Sequence, residues 1–101
     1  MLSHALITDL VGRDSPTPPI EVAQWCKLGL VSPRLADYDN PLTVTLEPLE
    51  AQIIRHMLRL VNFGIRPATA SALLNENTVR LNNGEWRATL NGVSVYWRLD
   101  R

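Results

Sequence analysis

The chain has 101 residues, 46% of them hydrophobic, and this size and composition predict a single soluble domain, residues 1–101, with a modest core. It has no long apolar run and no cleavable signal pattern, so we expect no membrane span and a cytoplasmic protein. Cys26 is the single cysteine, which excludes an intramolecular disulfide, and with His4 and His56 it leaves too few ligands for structural zinc. We therefore expect no metal and no cofactor.

The net charge of zero conceals an uneven distribution along the chain. Residues 1–50 carry three basic and seven acidic side chains, a balance of −4, and residues 51–101 carry the opposite balance of +4. A surface that binds nucleic acid needs local positive charge. This count places that charge in the second half of the chain.

Two short helices are predicted at the start of the chain. Apolar residues recur at helical spacing over residues 4–12, and the proline-rich run Asp14–Pro19 ends that helix. A second helix is predicted over residues 19–28, because Thr17 is placed to cap it and Gly29 follows its last turn. Two helices joined by a tight turn form a candidate helix-turn-helix unit.

The central part of the chain is predicted to form a helical corner. A long amphipathic helix is expected over residues 47–62, with Thr45 placed to cap it and Gly64 suited to the left-handed conformation after its end. Pro67 then begins a helix over residues 67–75 that presents small side chains for close packing.

Three stretches of the chain occur in an order that matches a known fold. They are Trp25–Pro33 at the end of the second predicted helix, the apolar stretch Leu42–Thr45, and the helix pair Leu49–Leu74. In this order they resemble the second-helix end, the returning wing strand and the helix pair of the MerR family of winged-helix regulators. The resemblance covers about Ala5 to Leu74 and implies a four-helix winged helix-turn-helix core with a wing between Pro33 and Thr45.

The resemblance also implies a function, because in this fold the second helix enters the major groove of double-stranded DNA. A small transcriptional regulator or an excisionase-type architectural factor is then expected. Gln24 is the best-placed base reader, since a glutamine can bind adenine bidentately, and Lys27 and Arg34 are the expected phosphate contacts. The full set of implied DNA-binding residues is Thr17, Gln24, Trp25, Lys27, Arg34 and Tyr38.

Departures from the family pattern support a second hypothesis. Family members carry arginines in the second helix and in the wing, whereas this chain has Ile20 and Ala23 in the helix and Asp37 and Asp39 in the wing. Acidic side chains repel phosphates. The alternative is a protein–protein interaction module on a winged-helix scaffold, with no DNA binding of its own, that uses its acidic front or its sheet to bind a regulator or a polymerase.

Residues 77–101 are predicted to form a three-stranded antiparallel β-meander, which makes the fold class α+β. Asn83-Gly84 and Asn91-Gly92 each suit a two-residue type I′ turn. The resulting register places apolar pairs on one face: Val79–Ala88, Leu81–Trp86, Trp86–Trp97, Ala88–Val95 and Leu90–Val93. The other face includes a basic set: Arg80, Arg87, Tyr96 and Arg98.

The apolar face of the meander requires cover, because a contiguous patch of this size marks a core or an interface. We expect the helix pair of the same chain to cover it, with a homodimer through the edge strand Val93 to Leu99 as the minor alternative. The basic face suits either a solvated surface or a phosphate- or partner-binding patch.

Little in the sequence points to catalysis. It has no recognisable Ser/His/Asp set, paired-carboxylate motif or glycine-rich phosphate loop, so we expect no enzymatic activity. Cys26 is expected to be a buried small hydrophobic residue. Trp25 fits either the core or a DNA contact, and the core interpretation is favoured.

Overall fold

A computed structural model describes residues 5–76 and 78–99, and within these residues the chain is an α+β structure. His4 and the predicted start of the first helix lie outside the described residues. A short 3₁₀ helix at Pro41–Thr43 accompanies the following helices and strands: α1 (Ile7–Leu10), α2 (Pro19–Lys27), α3 (Pro33–Ala36), α4 (Pro48–Asn62), α5 (Pro67–Asn75), β1 (Val79–Arg80), β2 (Trp86–Leu90) and β3 (Val93–Trp97).

The predicted long helices are confirmed, because α2, α4 and α5 lie within about one residue of the expected bounds. The first helix is shorter than predicted. Its described part ends at Leu10, because Val11 has an extended backbone with φ of −90° and ψ of 113°. The Asp9 carboxylate accepts a hydrogen bond from the Leu6 amide at 2.9 Å and holds the start of this single turn.

Helices α2 and α4 both end in the glycine turn that the sequence predicts. Gly29 has φ of +75° and Gly64 has φ of +102°, conformations that favour glycine. The Leu30 amide donates to the Trp25 carbonyl at 2.9 Å, and the Ile65 amide donates to the Leu60 carbonyl at 3.2 Å. This bond from the residue after the glycine marks a Schellman motif at both ends. Short-range chemistry therefore sets where each helix stops.

The two predicted threonine caps are wrong. Thr17 is buried, and its hydroxyl donates to the Oδ1 of Asn62 at 2.7 Å, so it ties the start of α2 to the end of α4. Thr45 lies two residues too early to cap α4. Glu47 is the N-cap residue there, and its amide donates to the Glu50 carboxylate at 2.9 Å in a capping box.

The predicted wing is also wrong. Residues 33–45, all of which the structure describes, contain α3 and the 3₁₀ turn at Pro41–Thr43 and no strand. The side chain of Asn40 accepts a hydrogen bond from the Leu42 amide at 3.2 Å and starts that turn. Local capping by an asparagine followed by a proline therefore replaces the expected returning strand with helical turns.

The sheet has the strand order β1-β2-β3, and its second hairpin has the predicted register. Trp86 pairs with Trp97, and Leu90 pairs with Val93. Asn91 and Gly92 both have positive φ, 52° and 79°, as a type I′ turn requires. The hairpin at Asn91-Gly92 therefore has the turn and the register that the Asn-Gly pair predicts.

The first hairpin is shifted by one residue from the prediction. Val79 pairs with Arg87 and Arg80 pairs with Trp86. Within the described residues of this loop Gly84 alone has positive φ, and its amide donates to the Leu81 carbonyl at 3.1 Å. These features indicate a three-residue loop with a glycine bulge in place of a type I′ turn.

The inner face of the sheet packs on the helices of the same chain, as predicted. Trp97 is 2% exposed and Ala88 is fully buried. The predicted covering residues Met57, Leu60, Leu73 and Leu74 belong to this core or pack against it. Val79 and Val93 were expected on the covered face, but both are exposed. In the part of the chain that the structure describes, no helix has the length and apolarity to span a membrane.

Candidate functional site

The residues of the predicted DNA-reading helix divide into exposed and buried ones. Gln24 and Lys27 are exposed on α2. Trp25 is 2% exposed and lies in the core, and Thr17, before the helix, is 3% exposed. A DNA contact needs an exposed side chain, so the predicted contacts by Trp25 and Thr17 are wrong in this structure.

The exposed face of α2 is partly apolar. Ile20, Gln24 and Leu28 recur every four residues and so share one face of the helix. Ile20 is 60% exposed and Leu28 is 73% exposed. The charged neighbours Glu21 and Lys27 have opposite signs, so this face has no concentration of positive charge.

Arg34, a predicted phosphate contact, is held in an ion pair. Its Nε donates to the Glu50 Oε2 at 2.9 Å, and its Nη2 donates to the other carboxylate oxygen of Glu50. The Ser32 hydroxyl donates to the same Oε2 at 3.1 Å. Glu50 is 7% exposed, so this bidentate pair is partly buried. The guanidinium of Arg34 therefore joins α3 to α4.

The ion pair also determines the ionisation of its members. Burial alone raises the pKa of Glu50, but hydrogen bonds from Arg34, from the Glu47 amide and from Ser32 lower it by more, so the pKa lies below its ordinary value. The hydrogen bond to Glu50 in turn raises the pKa of Arg34. Tyr38, another predicted DNA contact, accepts a hydrogen bond from Arg34 Nη1 at 3.4 Å and is 43% exposed.

A cluster of His56, Trp86 and Trp97, the His–Trp cluster, joins α4 to the sheet; His56 and Trp97 are buried and Trp86 is half-buried. The indole Nε1 of Trp97 donates to His56 Nδ1 at 2.9 Å. The ring of Trp86 meets the imidazole edge-on, with centroids 4.6 Å apart. Burial lowers the pKa of His56 to about 4. His56 is therefore neutral at pH 7 with its proton on Nε2, because Nδ1 accepts from Trp97.

An apolar cleft opens beside this cluster, between α4, the end of α5 and β2. We call it the α4–α5 cleft, and its volume is about 570 Å³. His56 is 5% exposed and contributes to its wall, and no described residue hydrogen-bonds to its Nε2. The described residues do not fully enclose that nitrogen. The cleft is lined by Pro48, Leu49, Gln52, Ile53, His56, Leu74, Thr78 and Trp86.

Three of the four residues of the predicted basic sheet face lie on the outer side of the sheet. Arg87 pairs with Tyr96 on the outer face, and Arg98 continues β3 with an exposed side chain. Arg80 pairs with Trp86, so the one-residue shift moves it to the inner side of the sheet. Its guanidinium carbon lies 5.8 Å from the centroid of the Trp86 ring, a cation–π contact at the rim of the α4–α5 cleft.

One edge of the sheet exposes hydrogen-bonding backbone. Leu90 and Val93 close the two-residue turn and exchange backbone hydrogen bonds. Along an antiparallel strand, hydrogen-bonded and non-hydrogen-bonded residues alternate, so the backbone groups of Val93, Val95 and Trp97 point toward β2. The N–H and C=O groups of Ser94 and Tyr96 point away from β2, and no other described residue hydrogen-bonds to them. We call this open side of residues 93–97 the β3 edge.

Cys26 is fully buried, as the sequence predicts. Burial, and next the charge of Glu50, raise the pKa of its thiol to about 11. The thiol is therefore protonated at neutral pH and is a poor nucleophile. Over residues 5–76 and 78–99, no three His, Cys, Asp or Glu side chains come close enough together to hold a metal ion.

Comparison of the chain with known protein families, with characterised proteins and with solved structures gives no match.

The site residues that sequence reasoning missed are His56, Glu50 and the Arg80–Trp86 contact. His56 and Trp97 are 41 positions apart, and Arg34 and Glu50 are 16 apart. No local pattern marks such pairs. The capping position of Glu50, three residues after Glu47, was the one signal in the sequence that its carboxylate is engaged.

Proposed function

We propose that this chain is a protein–protein interaction module that binds an extended, acidic segment of a partner along the β3 edge. The observation that carries the proposal is the open row of backbone groups at Ser94 and Tyr96. An extended segment added there gains main-chain hydrogen bonds without any rearrangement of the sheet, the recognition mode known as β-augmentation.

The composition of the β3 edge supports this function. Natural proteins protect free edges with lysine, proline or bulges, and Val93–Trp97 contains neither lysine nor proline and pairs with β2 without interruption. The outer face beside it carries Arg87 and Arg98, and β3 itself carries no acidic residue. Carboxylates at alternate positions of a bound segment would meet these arginines. An acidic segment is therefore the complementary partner.

Two substitutions at Ser94 separate the backbone from the side chain. Ser94→Pro removes the outward N–H, and proline is tolerated on an edge strand where the N–H faces solvent. Ser94→Ala keeps the N–H and loses the hydroxyl contact with Thr89 at 2.9 Å. The probe is a fluorescent-labelled synthetic peptide of alternating glutamate and valine, titrated by anisotropy. We expect the parent and Ser94→Ala to bind it alike and Ser94→Pro to bind it at least about tenfold more weakly.

Equal affinity of Ser94→Pro and the parent would refute binding at the β3 edge. A lysine-valine peptide that binds as well as the glutamate-valine peptide would refute the acidic preference. A second copy of the chain is the competing occupant. Sedimentation of the parent as a dimer, with Ser94→Pro monomeric, would identify self-association as the use of this edge, and the proposed partner segment would be wrong.

The proposed scaffold for this module is MerR-like. Its support is the order of α1, α2, α4 and α5, together with the glycine-terminated ends of α2 and α4. The segment between α2 and α4 lacks the wing strands that the family resemblance implies. Observation by NMR of paired strands within residues 33–45 would support the full winged fold.

DNA binding is the second candidate function, and the exposure of Gln24 and Lys27 on α2 favours it. The test is retention of random and site-selected duplex DNA across a salt series, because phosphate contacts weaken steeply as salt rises. Gln24→Ala should relax the preference at one base pair by about 1–3 kcal/mol, and Lys27→Gln should weaken binding to all sequences. Unchanged retention in both variants would exclude α2 as the DNA-contacting element.

A further inference from the structure

We propose that the α4–α5 cleft binds a small amphipathic carboxylate, an aliphatic or aromatic chain that ends in a carboxyl group. The cleft is separate from the β3 edge, so this binding activity does not rest on the proposed interaction with a partner segment. Its shape, its two hydrogen-bond donors and its lack of acidic groups each point to that class of ligand.

The size and lining of the cleft suit an apolar chain. Its volume of about 570 Å³ lies within the range of small-molecule sites in proteins. Leu49 is 72% exposed at this cleft, although the same helix buries Ile54 and Met57. Ile53 and Leu74 line the same space. A bound hydrocarbon would remove these surfaces from water.

Two donors lie against one ring of the cleft, the indole of Trp86. His56, 4.6 Å from it between centroids, has its Nδ1 occupied by Trp97, so its Nε2 is a hydrogen-bond donor without a partner among the described residues. Arg80 lies 5.8 Å from the same ring and forms no ion pair within residues 5–76 and 78–99. A neutral N–H at the wall and a guanidinium at the rim together match the oxygens of a carboxylate.

The charge of the cleft also selects an anion. None of its lining residues carries a charge when His56 is neutral, and the positively charged Arg80 contacts its wall at Trp86. An ammonium head group would meet the positive charge of Arg80 and find no acidic group in the lining. The tail of the ligand therefore lies along α4, and its carboxyl group lies beside Trp86.

The test uses the full chain and three eight-carbon probes: octanoate, octan-1-ol and octylammonium. Binding is followed by the amide and indole N–H signals in two-dimensional NMR, in which Trp86 can be assigned by substitution. We expect octanoate to shift the signals of Trp86 and the residues lining the cleft, with saturation, and to bind at least about tenfold more tightly than octylammonium. Arg80→Gln should weaken octanoate binding about tenfold and leave octan-1-ol binding unchanged.

Arg87→Gln is the matched control, because Arg87 is on the next strand and faces the outer side of the sheet. It should leave octanoate binding unchanged. The proposal is overturned if millimolar octanoate shifts no cleft residue, or if octan-1-ol binds as tightly as octanoate. It is also overturned if Arg80→Gln and Arg87→Gln weaken octanoate binding equally. A shift of the His56 Nε2–H signal on addition of octanoate would support the carboxyl position directly, since that proton has no protein partner among the described residues.

Discussion

The substitution Trp97→Phe tests the contact that attaches the sheet to the helices. Trp97 is 2% exposed, and its indole N–H is the partner of His56 Nδ1. Phenylalanine keeps an aromatic ring at this position but removes the donor and part of the buried surface. His56 Nδ1 is then left as a buried acceptor with nothing to bind.

The expected cost is the sum of two effects. A buried acceptor that loses its partner costs about 1–3 kcal/mol, and the smaller ring costs about 1 kcal/mol more in lost packing. The total of about 2–4 kcal/mol is a large share of the roughly 5–15 kcal/mol that stabilises a domain. Truncation of Trp97 to alanine would cost about 5 kcal/mol by the same reasoning, and we expect that variant to be largely unfolded.

Urea unfolding at pH 7 measures this cost, with Tyr96→Phe as the control, since Tyr96 neighbours Trp97 but is 53% exposed. The control should change the free energy of unfolding by less than about 0.5 kcal/mol. An NMR titration supplies a second readout. Loss of the Trp97 donor frees Nδ1 for a proton, so the pKa of His56 should rise toward its ordinary value. A Trp97→Phe variant that is as stable as the parent, with the pKa of His56 unchanged, would refute this account of the His–Trp cluster.

Three further predictions concern pH, the ion pair and a turn. The pKa of His56 is about 4 when folded and 6.5 when unfolded, so the unfolded chain binds more protons between these two pH values. The free energy of unfolding should therefore fall by roughly 2 kcal/mol as the pH drops from 6.5 to 4. This amount is already reduced to allow for the open cleft beside the imidazole ring. Glu50→Gln should lower the free energy of unfolding by about 2 kcal/mol at pH 7. The effect should shrink as the pH falls through the lowered pKa of Glu50, because the parent then loses the carboxylate too, whereas the exposed Glu21→Gln should have little effect on stability at pH 7. Gly92→Ala should cost about 1–2 kcal/mol in urea unfolding because its φ is +79°, and Gly12→Ala, with no positive φ and no neighbour within 4 Å, should not; equal effects would refute the backbone explanation.

The parts of the fold that the sequence predicts are those determined by neighbouring residues. Gly29 and Gly64 end α2 and α4 through contacts within six positions, and Asn91-Gly92 sets the register of its hairpin. Asn83-Gly84 shows the limit of this reasoning. The same dipeptide serves a two-residue type I′ turn or a three-residue bulged loop, and the choice moves every side chain of β1 to the other face.

The candidate site depended on contacts that no short pattern records. The family resemblance implied that Arg34 is a phosphate contact, but its side chain pairs with Glu50 on another helix. Helical periodicity placed His56 on α4 but did not reveal Trp97 as its partner. The packing of the helices and the sheet decides which distant side chains come into contact, and the local sequence does not show this packing.

The glycine-terminated helices have a consequence for how the chain folds. The ends of α2 and α4 are set by bonds that close within six residues, whereas the sheet reaches the helices through a contact 41 positions apart. Short loops close at little entropic cost and long ones close late, so we expect the helices to order first and the hairpin of β2 and β3 to dock in the rate-limiting step. Pulse-labelled hydrogen exchange during refolding would then show early protection in α4 and late protection of the Trp97 indole. Substitutions in β3 would mainly slow folding, and substitutions at the helix ends would alter how much helix persists in the unfolded chain.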